Sequence, residues 1–395
     1  MGKIFHVYAS HGRDNDAELD LPASGYEMLD LMERLRLEPG QKPYAAILRI
    51  HERYDYLDSC IQELPDLYQL NALAERLSAF TSVQDMAAFE GLVGKEIQKN
   101  AVPIALPRLI DFAYNTGCCV ISEGAMTDVQ LGKFLVEHEF VEEAAGLPDS
   151  ALALLDFGKI GREHREAEGG VYTGFGYVEQ QSEIYCISET MDFQPHRPDY
   201  TVLLNVAALP LTGPARQGAM LRLHLPAPEE QMQEALQKLG AEDWCNVAVS
   251  ILDCPLPALN HTIYLDGELP RILELSQRLS ELEERGKLSA YKALLAAEEC
   301  RDLSGMISLA GRVDEYIFEP NVRSAEDVAR GELEVILCGQ DAETLLPHID
   351  LRGYGSALLA RDQAIVTGYG LVERDRSQPV LEENQAPCRG GMEMM

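Results

Sequence analysis

The sequence predicts an α+β fold, an elongated multi-domain chain made of two related units. Three observations carry this. The stretch Leu154–Gln180, LLDFGKIGREHREAEGGVYTGFGYVEQ, returns without a gap 194 residues later as His348–Arg374, HIDLRGYGSALLARDQAIVTGYGLVER. The alternating strands that open the chain, with Leu21-Pro22-Ala23 after them, reappear from Tyr200 with Leu225-Pro226-Ala227. Between these blocks each half carries apolar residues at helical spacing.

In chain order, Ile4–Ala9 alternates as a strand, and the polar turn HGRDND leads to a second strand, Glu18–Leu21. A helix over Gly25–Leu35 puts Tyr26, Leu29, Met32 and Leu35 on one face, and a strand, Ala45–Ile50, closes a small α/β domain over residues 1–60. Tyr56–Pro65 reads as an acidic connector. Leu67–Phe80, Met86–Gln98 and Leu106–Asn115 are expected helices, Cys118–Ser122 a strand and Asp128–His138 a fourth helix, giving a helical middle domain over 61–145. Residues 146–182 form an α+β C-terminal part, in which a short amphipathic helix precedes one glycine-flanked apolar strand, VYTGFGYV. Paired glycines allow such a strand to bend or bulge. A linker spans 183–199.

The same order then repeats. An α/β domain is expected over 200–266, a helical domain over 267–338 and an α+β part over 339–375, with a disordered polar tail over 376–395. ILELSQRLS mirrors LNALAERLS, Ser289–Leu295 mirrors Ala87–Val93, Leu303–Ala310 mirrors Leu106–Ala113, and Asp327–Gly331 mirrors Asp128–Gly132. Shifts near 200 residues are far beyond solenoid periods, so the collinear blocks point to duplication of one domain-sized unit.

Charge is the compositional outlier: 65 acidic against 33 basic residues, a formal net of −32. Such a surface repels nucleic acid and anionic membranes and steers a basic partner towards it. Neither nucleic acid nor membrane is therefore an expected partner, and no window approaches a membrane span. Nine scattered cysteines without a C-x-x-C pair point to reduced thiols in a cytoplasm.

Both halves share the excess, with 34 acidic and 16 basic residues up to position 199 and 31 and 17 after it. The densest runs supply the candidate surface: Asp55, Asp58, Glu63 and Asp66; Glu123, Asp128, Glu137, Glu139, Glu142 and Glu143; and Asp314, Glu315, Glu326, Asp327, Glu332 and Glu334. These acids are spaced among apolar helix positions, unlike those of a disordered acidic tail, so they are expected on folded faces. Duplex DNA carries about one charge per 1.7 Å, so the net charge matches roughly 16 base pairs.

Catalytic patterns are absent from the sequence. The nine histidines form no H-E-x-x-H pair, there is no G-x-S-x-G elbow or phosphate-binding glycine loop, and Asp14-Asn15-Asp16 lacks the glycine of a calcium loop. Neither a catalytic residue, a metal nor a cofactor is expected. Carboxylate pairs of the glycosidase kind carry little signal in so acidic a chain.

With these features placed, the chain resembles the ArdA antirestriction family. The resemblance rests on Leu70-Asn71-Ala72-Leu73, on Leu131-Gly132-Lys133-Phe134-Leu135-Val136-Glu137, similar to that family's L-G-R-Y-Y-x-E-E helix, and on Leu147–Ser150 through Asp156–Arg162. It covers residues 1–180 well and 200–374 more weakly. His138 stands where the family has a second glutamate, and Arg330–Glu334 keeps little beyond a glycine. The resemblance implies a non-catalytic mimic of bent DNA that occupies the DNA groove of type I restriction-modification enzymes and protects incoming mobile-element DNA in the bacterial cytoplasm. It also implies a homodimer or, with two units in one chain, a pseudo-dimeric monomer. Kept beside it are an acidic protein-binding scaffold and an enzyme with an unrecognised carboxylate site.

Overall fold

A computed structural model describes residues 2–12, 15–38, 40–99, 102–144, 146–208, 220–264, 268–337 and 344–375. The tail over 376–395, expected to be disordered, lies outside the described residues. The chain divides into two compact units, the first ending at Pro198 and the second beginning at Asp199. Helices and antiparallel sheets make up both, a mixed α+β class.

In unit one, β1 (Phe5–Ser10) lies between β2 (Asp16–Leu21) and β3 (Tyr44–Ile50). Phe5, Val7 and Ala9 are buried while His6, Tyr8 and Ser10 are less so, which is the period of two that the sequence shows. Helix α1 (Gly25–Leu35) starts in a capping box. The Ser24 hydroxyl accepts from Glu27 N–H, and the Glu27 carboxylate accepts from Ser24 N–H. Helices α2 (Leu67–Ser78), α3 (Val83–Gln98) and α4 (Leu106–Tyr114) follow. Asn71 on α2 holds the loop before α1, accepting from Ala23 N–H at 2.7 Å and donating to Ala23 O at 3.2 Å.

Then come β4 (Cys119–Glu123), α5 (Asp128–Glu137), the short α6 (Asp149–Leu152), α7 (Phe157–Glu168), β5 (Val171–Thr173) and β6 (Gly176–Gln180). The sheet order is β4-β6-β5, and α5 packs on α7. A boundary at 145/146 would cut through this arrangement. β4 and α5, expected with the helical middle, belong with α7 and the C-terminal strands, because β4 finds its hydrogen-bonding partner in β6. α3 packs on the same sheet, and Val178 of β6 shares the core of Leu70, Leu73 and Phe112.

Two further expectations change. The run VYTGFGYV is a hairpin of two strands. Thr173 pairs with Gly176 across a two-residue loop, and the Thr173 hydroxyl donates to Gly176 O at 2.9 Å while accepting from Phe175 N–H at 3.2 Å. Gly176, at φ 149°, leaves no room for a side chain: a Cβ there would stand 2.3 Å from Ser122 O. The stretch expected as a linker, 183–199, is tied to unit one as far as Pro198. Asp111 accepts from Ser188 N–H at 2.8 Å, and Asn115 bonds both backbone groups of Tyr185.

Unit two repeats the order: β7 (Val202–Ala208), β8 (Met220–Leu225), α8 (Glu229–Leu239), β9 (Val247–Asp253), the two-residue β10 (Ile263–Tyr264), α9 (Leu269–Glu284), α10 (Leu288–Ala297), α11 (Leu303–Ala310), β11 (Tyr316–Glu319), α12 (Ala325–Leu337), α13 (Leu351–Asp362), β12 (Ile365–Thr367) and β13 (Gly370–Arg374). Its sheets run β10-β9-β7-β8 and β11-β13-β12, matching unit one with β10 added. The register shift between His6 and Val7 recurs between Leu203 and Leu204. The repeated residues now have physical roles. Asp156 and Asp350 are N-caps of α7 and α13, and Thr367 staples the β12–β13 turn as Thr173 does the first.

One sequence match is off by two positions. Gly161 approaches the carbonyl of Asp128, and Gly355 that of Ala325, so Asp128 corresponds to Ala325 and Gly132 to the buried Ala329. Asp327 therefore stands where Gln130 stands, at the third position of its helix. Asp327 closes a capping box with Ser324, whereas Gln130 donates its N–H to the Thr127 hydroxyl and accepts through its side chain from that hydroxyl and from Met126 N–H.

The mirrored run on α9 also yields a stability prediction. Ser276 takes the place of Ala74, and its hydroxyl is fully buried with no hydrogen-bond partner among the described residues. Ser276→Ala should raise stability by about 1 kcal/mol in urea unfolding, since an unsatisfied buried hydroxyl costs about that much.

Candidate acidic interaction surface

The structure sorts the sixteen candidate acids by what each already touches. Six are occupied within the fold. Asp66 caps α2, accepting from Tyr68 and Gln69 N–H, and pairs with Lys42. Asp314 pairs with Arg285 and Lys287, which hold its carboxyl below the usual range. Glu315 pairs with Arg312 at 3.1 Å, and Glu137 with Lys133 at 3.5 Å. Asp327 accepts from Arg323 N–H, Ser324 N–H and the Ser324 hydroxyl.

Asp128 is the most committed. At the first turn of α5 it receives two bonds from Arg165 of α7, at 2.9 and 3.2 Å, and one from the Tyr172 hydroxyl at 2.7 Å. These bonds lower its pKa to about 2. An acid whose folded pKa lies below its unfolded value stabilises the fold above pH about 4, and that contribution disappears as pH falls through 2. The pair is roughly one-third exposed, so solvent screening limits its worth. Asp128→Asn should cost about 1–2 kcal/mol at pH 7, and wild type and variant should converge near pH 2 in urea titrations. Unit two places Ala325, Leu359 and Val366 at these positions, so the cluster belongs to unit one alone.

Nine acids are exposed or half-exposed without an ion pair or side-chain hydrogen bond among the described residues: Asp55, Asp58 and Glu63 around the turn after β3; Glu123 at the end of β4; Glu139, Glu142 and Glu143 just beyond α5; and Glu326 and Glu334 on α12. Glu332, half-exposed on α12, faces Arg361. Glu52 extends the first group, exposed and one helical turn before Asp55. The sequence shows it in the same run, but the string of acids without an intervening base begins only after Arg53. These unpaired candidate acids of unit one thus sit on or beside ordered elements, where little entropy is lost when a partner is met.

Three rings lie in the same stretch of chain as Glu139, Glu142 and Glu143. Phe134 and His138 stack at 4.1 Å, and Phe140 lies nearly parallel to both at 6.4 Å. The residue that departs from the L-G-R-Y-Y-x-E-E pattern, His138, is thereby seated by Phe134, whose carbonyl also accepts from its Nδ1 at 2.9 Å.

A cavity of about 200 Å3 lies between the start of α1, α2 and residues 191–196, lined by Ser24, Met28, Tyr68, Asn71 and Glu75 among others. Burial raises the Glu75 pKa, although Asn71 donates to it at 2.9 Å. No group of three or more metal-binding side chains occurs among the described residues, and none of their helices is long and apolar enough to cross a membrane. No disulfide joins the seven described cysteines; burial beside Cys118 pushes the Cys119 thiol up to about 12. Set against known proteins, the chain matches no family model and no curated protein.

Proposed function

We propose that the chain is a non-catalytic antirestriction protein, an acidic DNA mimic acting in the bacterial cytoplasm. Its carboxylates take the place of backbone phosphates in the DNA-binding groove of a type I restriction-modification enzyme, at the methyltransferase core. The observation that carries the reading is the set of unneutralised acids on or beside ordered elements, at 52–63 and 139–143 in unit one and Glu326 and Glu334 on α12 in unit two. A charge surplus held this way attracts Lys and Arg side chains arranged for DNA, and ordering both partners in advance lowers the cost of binding.

The test is the plating efficiency of unmodified phage on a host with a type I system, with and without the protein. Restriction that persists at full strength rejects the proposal. An acidic scaffold that binds proteins without mimicry is separated by competition, because duplex DNA displaces a mimic from its target and leaves a scaffold in place. The enzyme reading is favoured by one observation, the raised Glu75 at its cavity. It requires turnover of a small substrate that Glu75→Gln abolishes.

A further inference from the structure

The geometry points to the end of α5 as a seat for arginine side chains of a basic protein partner. The helix closes in a turn that brings a ring back over itself. Glu139 takes a left-handed backbone, φ 60°, and Phe140 N–H donates to Leu135 O at 2.8 Å. That turn sets Phe140 beside the stacked pair of Phe134 and His138, nearly parallel and 6.4 Å from each, and leaves the residue 67% exposed. A bare aromatic ring of this kind is commonly an apolar contact, but here exposed Glu139, Glu142 and Glu143 surround it in sequence, without ion pairs among the described residues. An apolar partner would have to desolvate those carboxylates, and an anionic one would be repelled.

A guanidinium fits both features. It lies flat on an aromatic face and offers planar N–H groups to carboxylates at its edge, whereas a lysine ammonium is a strongly hydrated point charge with no plane to stack. Unit two lacks the device: Gly331, Val335 and Leu337 occupy the corresponding positions. The partner named here deepens the mimic reading and rests on it for its biological target, but the preference for arginine is a property of the chain itself.

Titration of the full chain with nona-arginine and nona-lysine at equal ionic strength tests it by calorimetry. Arginine should bind roughly two- to fivefold more tightly than lysine to the wild type, the size of an exposed cation–π contact. Phe140→Ala should bind both peptides alike, and Phe140→Trp should keep the preference. Because the ring is exposed, an unchanged thermal midpoint is expected for both variants. Equal binding of the two peptides by wild type, or an arginine preference that survives Phe140→Ala, overturns the seat. A wild type that prefers arginine but leaves restriction untouched overturns the mimic reading alone.

Discussion

Neutralising Asp55, Asp58, Glu63, Glu139, Glu142 and Glu143 together, to asparagine and glutamine, should lower affinity for the proposed restriction-enzyme target by about 100-fold and leave the fold intact. Each is exposed and without an internal cation among the described residues, so each has its charge available for a partner. An exposed carboxylate–cation contact is worth about 0.5 kcal/mol; six together reach about 3 kcal/mol, or two decades in affinity. The salt dependence should flatten as well, because fewer ions are released when fewer charges are paired. Stability should hold or rise slightly, since only like-charge repulsion has been removed. Asp128→Asn gives the opposite signature, costing stability through Arg165 and Tyr172 while changing affinity little. Full affinity in the sextuple variant, measured across a salt series, would show that these two groups lie outside the interface.

Gly161→Ala should destabilise unit one by about 3 kcal/mol or more, lowering its thermal midpoint by about 6–12 °C. A Cβ at this position would stand 1.9 Å from the carbonyl oxygen of Asp128 and 2.8 Å from Gly132 N. Both obstacles are backbone, so no rotamer change relieves them; α5 and α7 must move apart. Moving them also strains the Asp128–Arg165 pair that bridges the same helices. Gly94→Ala on α3 is the control, because its Cβ would meet Val171 at an ordinary 3.5 Å and alanine favours the helix. Equal midpoints for the two variants, by calorimetry, would refute the close crossing.

Why these particular residues repeat was not legible until the helices were in place. Gly161 and Gly355 read in the sequence only as shared glycines, and the nearby Gly331 reads as a partner of Gly132. In the fold Ala329 holds that place, and nothing lies within 4 Å of a Cβ at Gly331. The hairpin in VYTGFGYV was hidden for a related reason. Its apolar run is too short for period alone to separate one strand from two, and the threonine staple is visible only once Thr173 and Gly176 face each other.

By itself the sequence determined the class, the strand–strand–helix–strand start of each half, the main helices, their recurrence and the acidic balance. Periodicity, capping residues and net charge are local or additive, so they need no coordinates. Only the tertiary structure decided which acids are free. Asp128 and Glu139 look alike in the chain, yet Asp128 meets a guanidinium 37 residues away. Neutralisation of a charge depends on a distance in space, and α5 must first cross α7 on their glycines before that distance is short.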